Sequence, residues 1–320
     1  MRRRRFLSIL GTGAALAVAG SSISSARARS WQWRGIALGA DATIRIRHED
    51  EDRARHILEA AASEIHRLEK IFSLYRQDSV LSRLNRTGEF VAPPAELVDL
   101  LSVAETVSLA SDGAFDVSVQ PLWNLYARHF DKVGPKGFGP SDEAISDTRQ
   151  IVDYRAIEVD GQRLVLGRPD MALTLNGIAQ GYIADRVTAR LASLGVTDTL
   201  IDTGEFRALG HRHDGRSWRL GIDKHDPILP VSGQAVATSG AAATRFDAKG
   251  HFHHLFDPRT GRPATTGIAQ ISVVASSAAL ADAASTALAV LPANQHAGLK
   301  DALGLRRVLR LNSEGTLDEV

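Results

Sequence analysis

The chain has 320 residues, 44% of them hydrophobic, enough for a substantial core in one large domain or two small ones. Its 38 basic and 37 acidic side chains nearly balance, and the body of the chain has no basic run, which argues against nucleic acid as a partner. With no cysteine at all, neither a disulfide nor a lipidated cysteine anchor is available.

Taken in order, Arg2 to Arg5 precede an uncharged run from Phe6 to Gly20, and Ala26-Arg27-Ala28 follows. A basic start, a short apolar middle and small residues at a cut site form the layout of a cleaved secretory signal. Residues 1–28 are therefore expected to be removed and residues 29–320 to form the folded domain. Arg3-Arg4-Arg5-Phe6-Leu7 fits a twin-arginine export signal, with an ordinary secretory signal or a retained anchor as the alternatives. The apolar run is shorter than the roughly 20 residues of a membrane span, so a periplasmic protein with no stable membrane anchor is expected. Without the five arginines that precede Arg29, 33 basic face 37 acidic side chains, a balance of −4.

Ala42, Ile44 and Ile46 alternate with polar residues and predict a half-buried strand. A helix is predicted from Asp52 to Phe72, with Ile57, Leu58, Ala61, Ile65, Leu68 and Phe72 on one face, and a second from Ala95 to Ala110. The Gly-, Pro- and charge-rich stretch from Arg128 to Asp147 reads as a long surface excursion. Asp160-Gly161 between apolar runs predicts a hairpin over Ile157 to Leu166. Further strands are predicted near residues 172–175, 199–202, 217–222, 233–238 and 270–275, with helices at 177–194 and 277–291 and a last hairpin over 307–320. The class is α+β: a mixed sheet with packed helices in a single catalytic domain, without internal repeats.

Two motifs carry chemistry. His253-His254-Leu255-Phe256-Asp257-Pro258-Arg259-Thr260-Gly261 crowds histidines, a carboxylate and a guanidinium onto a bend whose backbone Pro258 and Gly261 constrain. In Ala281-Asp282-Ala283-Ala284-Ser285-Thr286-Ala287-Leu288, Asp282 and Thr286 are four apart, so a helix sets a carboxylate beside a hydroxyl. Such oxygen donors suit a hard dication such as magnesium. A histidine such as His254 can donate to a phosphate oxygen or accept a proton near neutral pH. Arg259 can hold a phosphate or buttress the turn by pairing with Asp257.

Four other segments place polar groups or glycine at element ends: Phe72 to Ser79, Gly113 to Leu122, Leu175 to Tyr182, and Ile201 to Glu205. Together with Val236-Ala237-Thr238-Ser239-Gly240 and the two motifs above, their order and spacing resemble the ApbE family of FAD:protein FMN transferases, from about Leu38 to Leu291. The resemblance implies an ApbE-like (T-fold-like) domain and a magnesium-dependent reaction. FMN is transferred from FAD to a threonine hydroxyl of an acceptor flavoprotein, and AMP is released. It implies magnesium at Asp282, Thr286 and a backbone carbonyl near Gly177, with His254 and Asp282 in catalytic positions. Flavin or nucleotide recognition falls on Leu38, Tyr75, Ala114, Phe115, Asp116, Thr174, Gln180, His254 and Arg259. The acceptor would be an exported domain of a membrane redox complex with a Ser/Thr-Gly-Ala-Thr type motif. Leu38, Thr174, Asn176, Gln180 and Thr203-Gly204 depart from the commoner residues at their positions, a methionine, an aspartate, a glycine, a charged residue and a double glycine. Two rival readings are an FAD pyrophosphatase releasing FMN and AMP, and a non-catalytic periplasmic flavin carrier.

Overall fold

The computed structural model describes residues 29–212, 214–222 and 225–320; the expected signal over residues 1–28 lies outside the described residues. The first strands, β1 (Arg29–Ala37) and β2 (Ala40–His48), form a hairpin and are followed by α1 (Glu51–Phe72), α2 (Val80–Thr87), β3 (Glu89–Val91) and α3 (Ala95–Ala110). Next come α4 (Gln120–Val133), α5 (Asp142–Arg149), β4 (Ile157–Val159), β5 (Arg163–Leu166) and α6 (Ala179–Ser193). Then follow β6 (Thr199–Asp202), β7 (Phe206–Leu209), β8 (Trp218–Ile222), β9 (His225–Val231) and β10 (Ala235–Ser239). The chain closes with β11 (Phe256–Asp257), β12 (Arg262–Pro263), β13 (Ile268–Ala275), α7 (Ala278–Val290), α8 (His296–Ala302), β14 (Arg307–Asn312) and β15 (Leu317–Glu319).

Eight strands make the main sheet in the order β1-β2-β6-β7-β10-β13-β14-β15. Each of its ladders is antiparallel, so the α+β class stands while the mixed sheet becomes an antiparallel one. The cause is connectivity: hairpins join β1 to β2, β6 to β7 and β14 to β15, and the helices enter as long excursions rather than as parallel crossovers.

Strand alternation decides which face each helix covers. Ile44, Ile46, Ile201, Ala237, Ile271 and Val273 point to the helical side and share its core with α1, α3, α6 and α7. Leu200, Phe206, Ala208, Val236, Val274 and Leu309 point the other way and are covered by Leu220, Leu229 and Val231 of the β8–β9 hairpin. Helix α1 starts where the Asp50 side chain accepts from the Arg53 N–H at 2.8 Å, and its apolar stripe is buried as spaced.

Two expectations change. Residues 128–147 are no surface excursion: α4 runs through Val133, α5 starts at Asp142, and only the stretch between them is loop. Leu122, Tyr126 and Phe130, four apart on α4, pack with Ile145 and Phe256 into a separate aromatic cluster. Residues 172–175 form no ladder strand. They are held by one parallel bridge from Ala172 to Val119, by Thr174 N–H on the Val117 carbonyl, and by Asn85, whose amide pairs with both backbone groups of Leu173.

Candidate active site

A cleft of about 340 Å³ opens where the end of β10 and the segment ahead of α6 meet α7. Its wall draws on seven separated stretches, around residues 114–123, 174–177, 204, 238–244, 254–258, 269–270 and 282–286.

One pole of the cleft is built of oxygen donors. Asp282 is 2% exposed, and its Oδ2 accepts from the Gly181 N–H at 3.2 Å. One turn on, Thr286 Oγ1 lies 3.2 Å from Ser239 Oγ, itself 2.7 Å from Ser285 Oγ. Two glycines make this pole possible. A Cβ on Gly177 would sit 3.0 Å from Thr286 Oγ1, so its absence lets backbone and hydroxyl meet. A Cβ on Gly181 would fall 2.1 Å from the Ala278 carbonyl oxygen, so α6 and α7 touch backbone to backbone.

Helix α7 is fixed in register by its start. Asp185 of α6 accepts from the N–H groups of Ala278 (2.8 Å) and Ala279 (2.9 Å) and pairs with Arg207 Nε at 3.1 Å. Burial pushes the Asp185 carboxyl above its ordinary value, against those donors. Asp282 follows on the next turn. Among the described residues no three His, Cys, Asp or Glu side chains are grouped so that they could hold a metal ion by themselves. The pole offers a cation the Asp282 carboxylate and the Thr286 and Ser239 hydroxyls, with the Gly177 backbone beside them, an oxygen set that fits a hard dication such as magnesium.

The adjacent histidines divide the work. His253 is buried; its Nδ1 accepts from the Leu255 N–H at 3.3 Å, so its Nε2 carries the hydrogen shared with the Ala264 carbonyl at 3.0 Å. Burial holds its pKa below the usual histidine value, and it is a structural residue. His254 lines the cleft, with Nδ1 3.2 Å from the Thr244 carbonyl. A carbonyl only accepts, so this contact puts the hydrogen on Nδ1 and leaves Nε2 of the neutral ring as the basic nitrogen.

Of the sequence-predicted residues, Ala114, Phe115, Asp116, Thr174, Gly177, His254, Asp282 and Thr286 come together in this wall. Asp116 is occupied by the protein itself: it accepts from the N–H and hydroxyl of Ser118 (2.7 and 2.6 Å) and from the Tyr154 N–H (3.0 Å). Burial raises its pKa against those three donors. Four other predicted residues do not line the cleft. Leu38, at φ 48°, donates its N–H to Glu69, and the exposed Tyr75 ring lies over Gly39 next to it. Gln180 is buried against Gly204. Arg259 forks onto Asp257, both contacts 2.8 Å, so the structure shows the buttress for the turn. Sequence reasoning passed over Ser239, Trp123 and Gln270, all in the wall. Ser239 lay inside a quoted segment, and Trp123 follows the Gln120-Pro121 helix start.

An antiparallel sheet backed by helices, with a cleft joining an acid–hydroxyl pair to a histidine, defines an α+β protein equipped to handle an anionic ligand beside a dication. The ApbE family model matches residues 38–306, and the chain belongs to that family. The FAD:protein FMN transferase of Vibrio cholerae is 31% identical over 230 residues, 68% of each chain. That of Escherichia coli is 25% identical over 262 residues, 75% of this chain and 72% of its own. Among solved structures, the apo flavinyl transferase ApbE of Pseudomonas stutzeri superposes with a TM-score of 0.80 at 29% identity, covering 93% of this chain and 97% of its own.

Proposed function

We propose that this enzyme is an FAD:protein FMN transferase that cleaves the FAD pyrophosphate, joins FMN through its phosphate to a threonine hydroxyl of an acceptor flavoprotein, and releases AMP. The observation that carries this reading is the oxygen pole of Asp282, Thr286 and the Gly177 backbone, in one cleft with His254. A magnesium ion held by Asp282, Thr286 and a carbonyl near Gly177 would neutralise pyrophosphate oxygens and stabilise charge as it builds. The rest falls to the chain. His254 in the cleft wall would take the threonine proton as the new P–O bond forms and the bond to AMP breaks. Phe115 and Trp123 offer flat apolar faces to a ring system.

The test is incubation of residues 29–320 with FAD, magnesium and an acceptor domain carrying a Ser/Thr-Gly-Ala-Thr sequence, read as covalent flavin fluorescence in a denaturing gel. Labelling is expected, with loss in EDTA and a drop of at least about 100-fold for Asp282→Ala. Release of FMN and AMP without labelled protein would turn the reading to a pyrophosphatase, and FAD binding without AMP release would turn it to a carrier.

The proposed acceptor is an exported domain of a membrane redox complex, met in the periplasm after twin-arginine export. Arg3→Lys with Arg4→Lys is expected to keep the protein in the cytoplasmic fraction; undiminished export would refute the route.

A further inference from the structure

We infer, on the cation pole proposed above, that Ser239 and Ser285 are positioning residues. They form a one-way chain of hydrogen bonds that turns the Thr286 hydroxyl hydrogen away from the cleft, so that its oxygen meets a cation with lone pairs alone. Helix α7 holds one residue out of keeping with its neighbours. Ser285 is 0% exposed among the equally buried Ala281, Ala283, Ala284 and Ala287, and it lies behind the cleft wall rather than in it. An alanine would fill that position, whereas a buried hydroxyl costs free energy unless its hydrogen-bonding capacity is used.

That capacity is used twice. Ser285 Oγ donates to the Asp282 carbonyl at 3.0 Å and lies 2.7 Å from Ser239 Oγ, which in turn lies 3.2 Å from Thr286 Oγ1. Each hydroxyl has one hydrogen to give, and a carbonyl only accepts, so the Ser285 hydrogen is spent on Asp282. Ser239 must then donate to Ser285, which spends its own hydrogen. Thr286 must donate to Ser239. No other assignment makes all three contacts hydrogen bonds, and the chain runs from Thr286 through Ser239 and Ser285 to the Asp282 carbonyl.

The result is a threonine oxygen in the cleft wall whose hydrogen faces into the protein. A dication takes lone pairs and is opposed by a hydroxyl hydrogen aimed at it. A phosphate oxygen has the opposite need, because it accepts hydrogens and is opposed by lone pairs. With the Asp282 carboxylate one turn away, this pole selects a cation and receives a pyrophosphate only through one. Ser239 is itself fixed by the sheet: it ends β10 opposite Ile271 of β13, and the N–H of its neighbour Thr238 donates to Glu205 Oε2 at 3.0 Å. The sheet thus holds the middle of the chain, and α7 carries both of its ends.

The probe is manganese(II), a dication that favours oxygen ligands and whose free ion is counted by electron paramagnetic resonance, titrated into residues 29–320. For Ser285→Ala and for Ser239→Ala its dissociation constant is expected to rise about tenfold. The melting temperature of Ser285→Ala in EDTA is expected to hold, because alanine is the better helix former. The double variant is expected to lose no more than either single one, since a break at either link already lets a hydroxyl hydrogen turn toward the cation. A lower melting temperature in EDTA with manganese affinity intact would make Ser285 a packing residue and overturn the chain. Losses that multiply in the double variant overturn it too, as does affinity kept by both serine variants while Asp282→Ala loses the ion. If Asp282→Ala binds manganese as the wild type does, the cation does not sit at this pole, and the reading of the site falls before the chain does.

Discussion

At the scale of single residues, two positions show how small changes divide stability from chemistry. Gly177 leaves room for Thr286 Oγ1, since a Cβ there would stand 3.0 Å from it and 3.4 Å from Phe115. Gly177→Ala is expected to cost about 1 kcal/mol of stability while weakening the apparent magnesium affinity about tenfold. A magnesium titration of transfer rate checks this, and an unshifted titration would remove Gly177 from the pole. His253 carries the opposite balance. Burial depresses its folded pKa, so the unfolded chain binds a proton that the folded form resists. Its contribution is fully present above the ordinary value of 6.5 and is lost as pH falls through the lower folded value. Burial depresses His296 too, with the same sign. The melting temperature is expected to fall on acidification below about pH 6.5, and His253→Gln to flatten part of that fall; identical curves would assign the effect elsewhere.

At the scale of elements, the start of α7 matters more than its interior. Asp185 caps it from α6 and neutralises Arg207, so Asp185→Ala leaves two N–H groups and a guanidinium without their acceptor. A loss of about 2 kcal/mol is expected in urea unfolding, together with reduced transfer, because Asp282 rides on the same helix. Transfer at the wild-type rate would show that α7 keeps its register without the cap. Helices with a strong 3.6-residue period were legible from sequence: α1, α3, α6 and α7 lie within about two residues of expectation. The acid–hydroxyl pair of α7 was legible for the same reason, since four residues make one turn. What escaped was context. The glycines and prolines of 134–140 masked the aromatic stripe of Leu122, Tyr126 and Phe130, which was itself a readable signal. Residues 172–175 have strand composition, yet the neighbour that would complete a ladder is a connecting segment at Val117 to Val119. Tyr75 and Leu38 were placed by resemblance alone, and no local spacing reports that the Tyr75 ring lies over Gly39, beside Leu38 and away from the cleft wall; for Arg259 the residues left a phosphate and Asp257 open, and the structure shows the pairing with Asp257.

At the scale of the whole molecule, the cleft joins stretches more than 160 residues apart, so a ligand that fills it ties the aromatic cluster, the sheet and α7 to one another. FAD with magnesium at about 100 times the dissociation constant is expected to add about 2.7 kcal/mol, a rise of several degrees in melting temperature. Chelation should abolish the part due to the metal. A melting point that ignores FAD would show that the folded protein does not bind it. Trp123 stands in the wall and meets Phe246 edge to face, whereas Trp31, Trp33 and Trp218 belong to strands. An isoalloxazine resting there absorbs where indole emits, so resonance energy transfer would dim the Trp123 lamp in the wall. Occupancy can therefore be followed optically, in real time, with no dye attached.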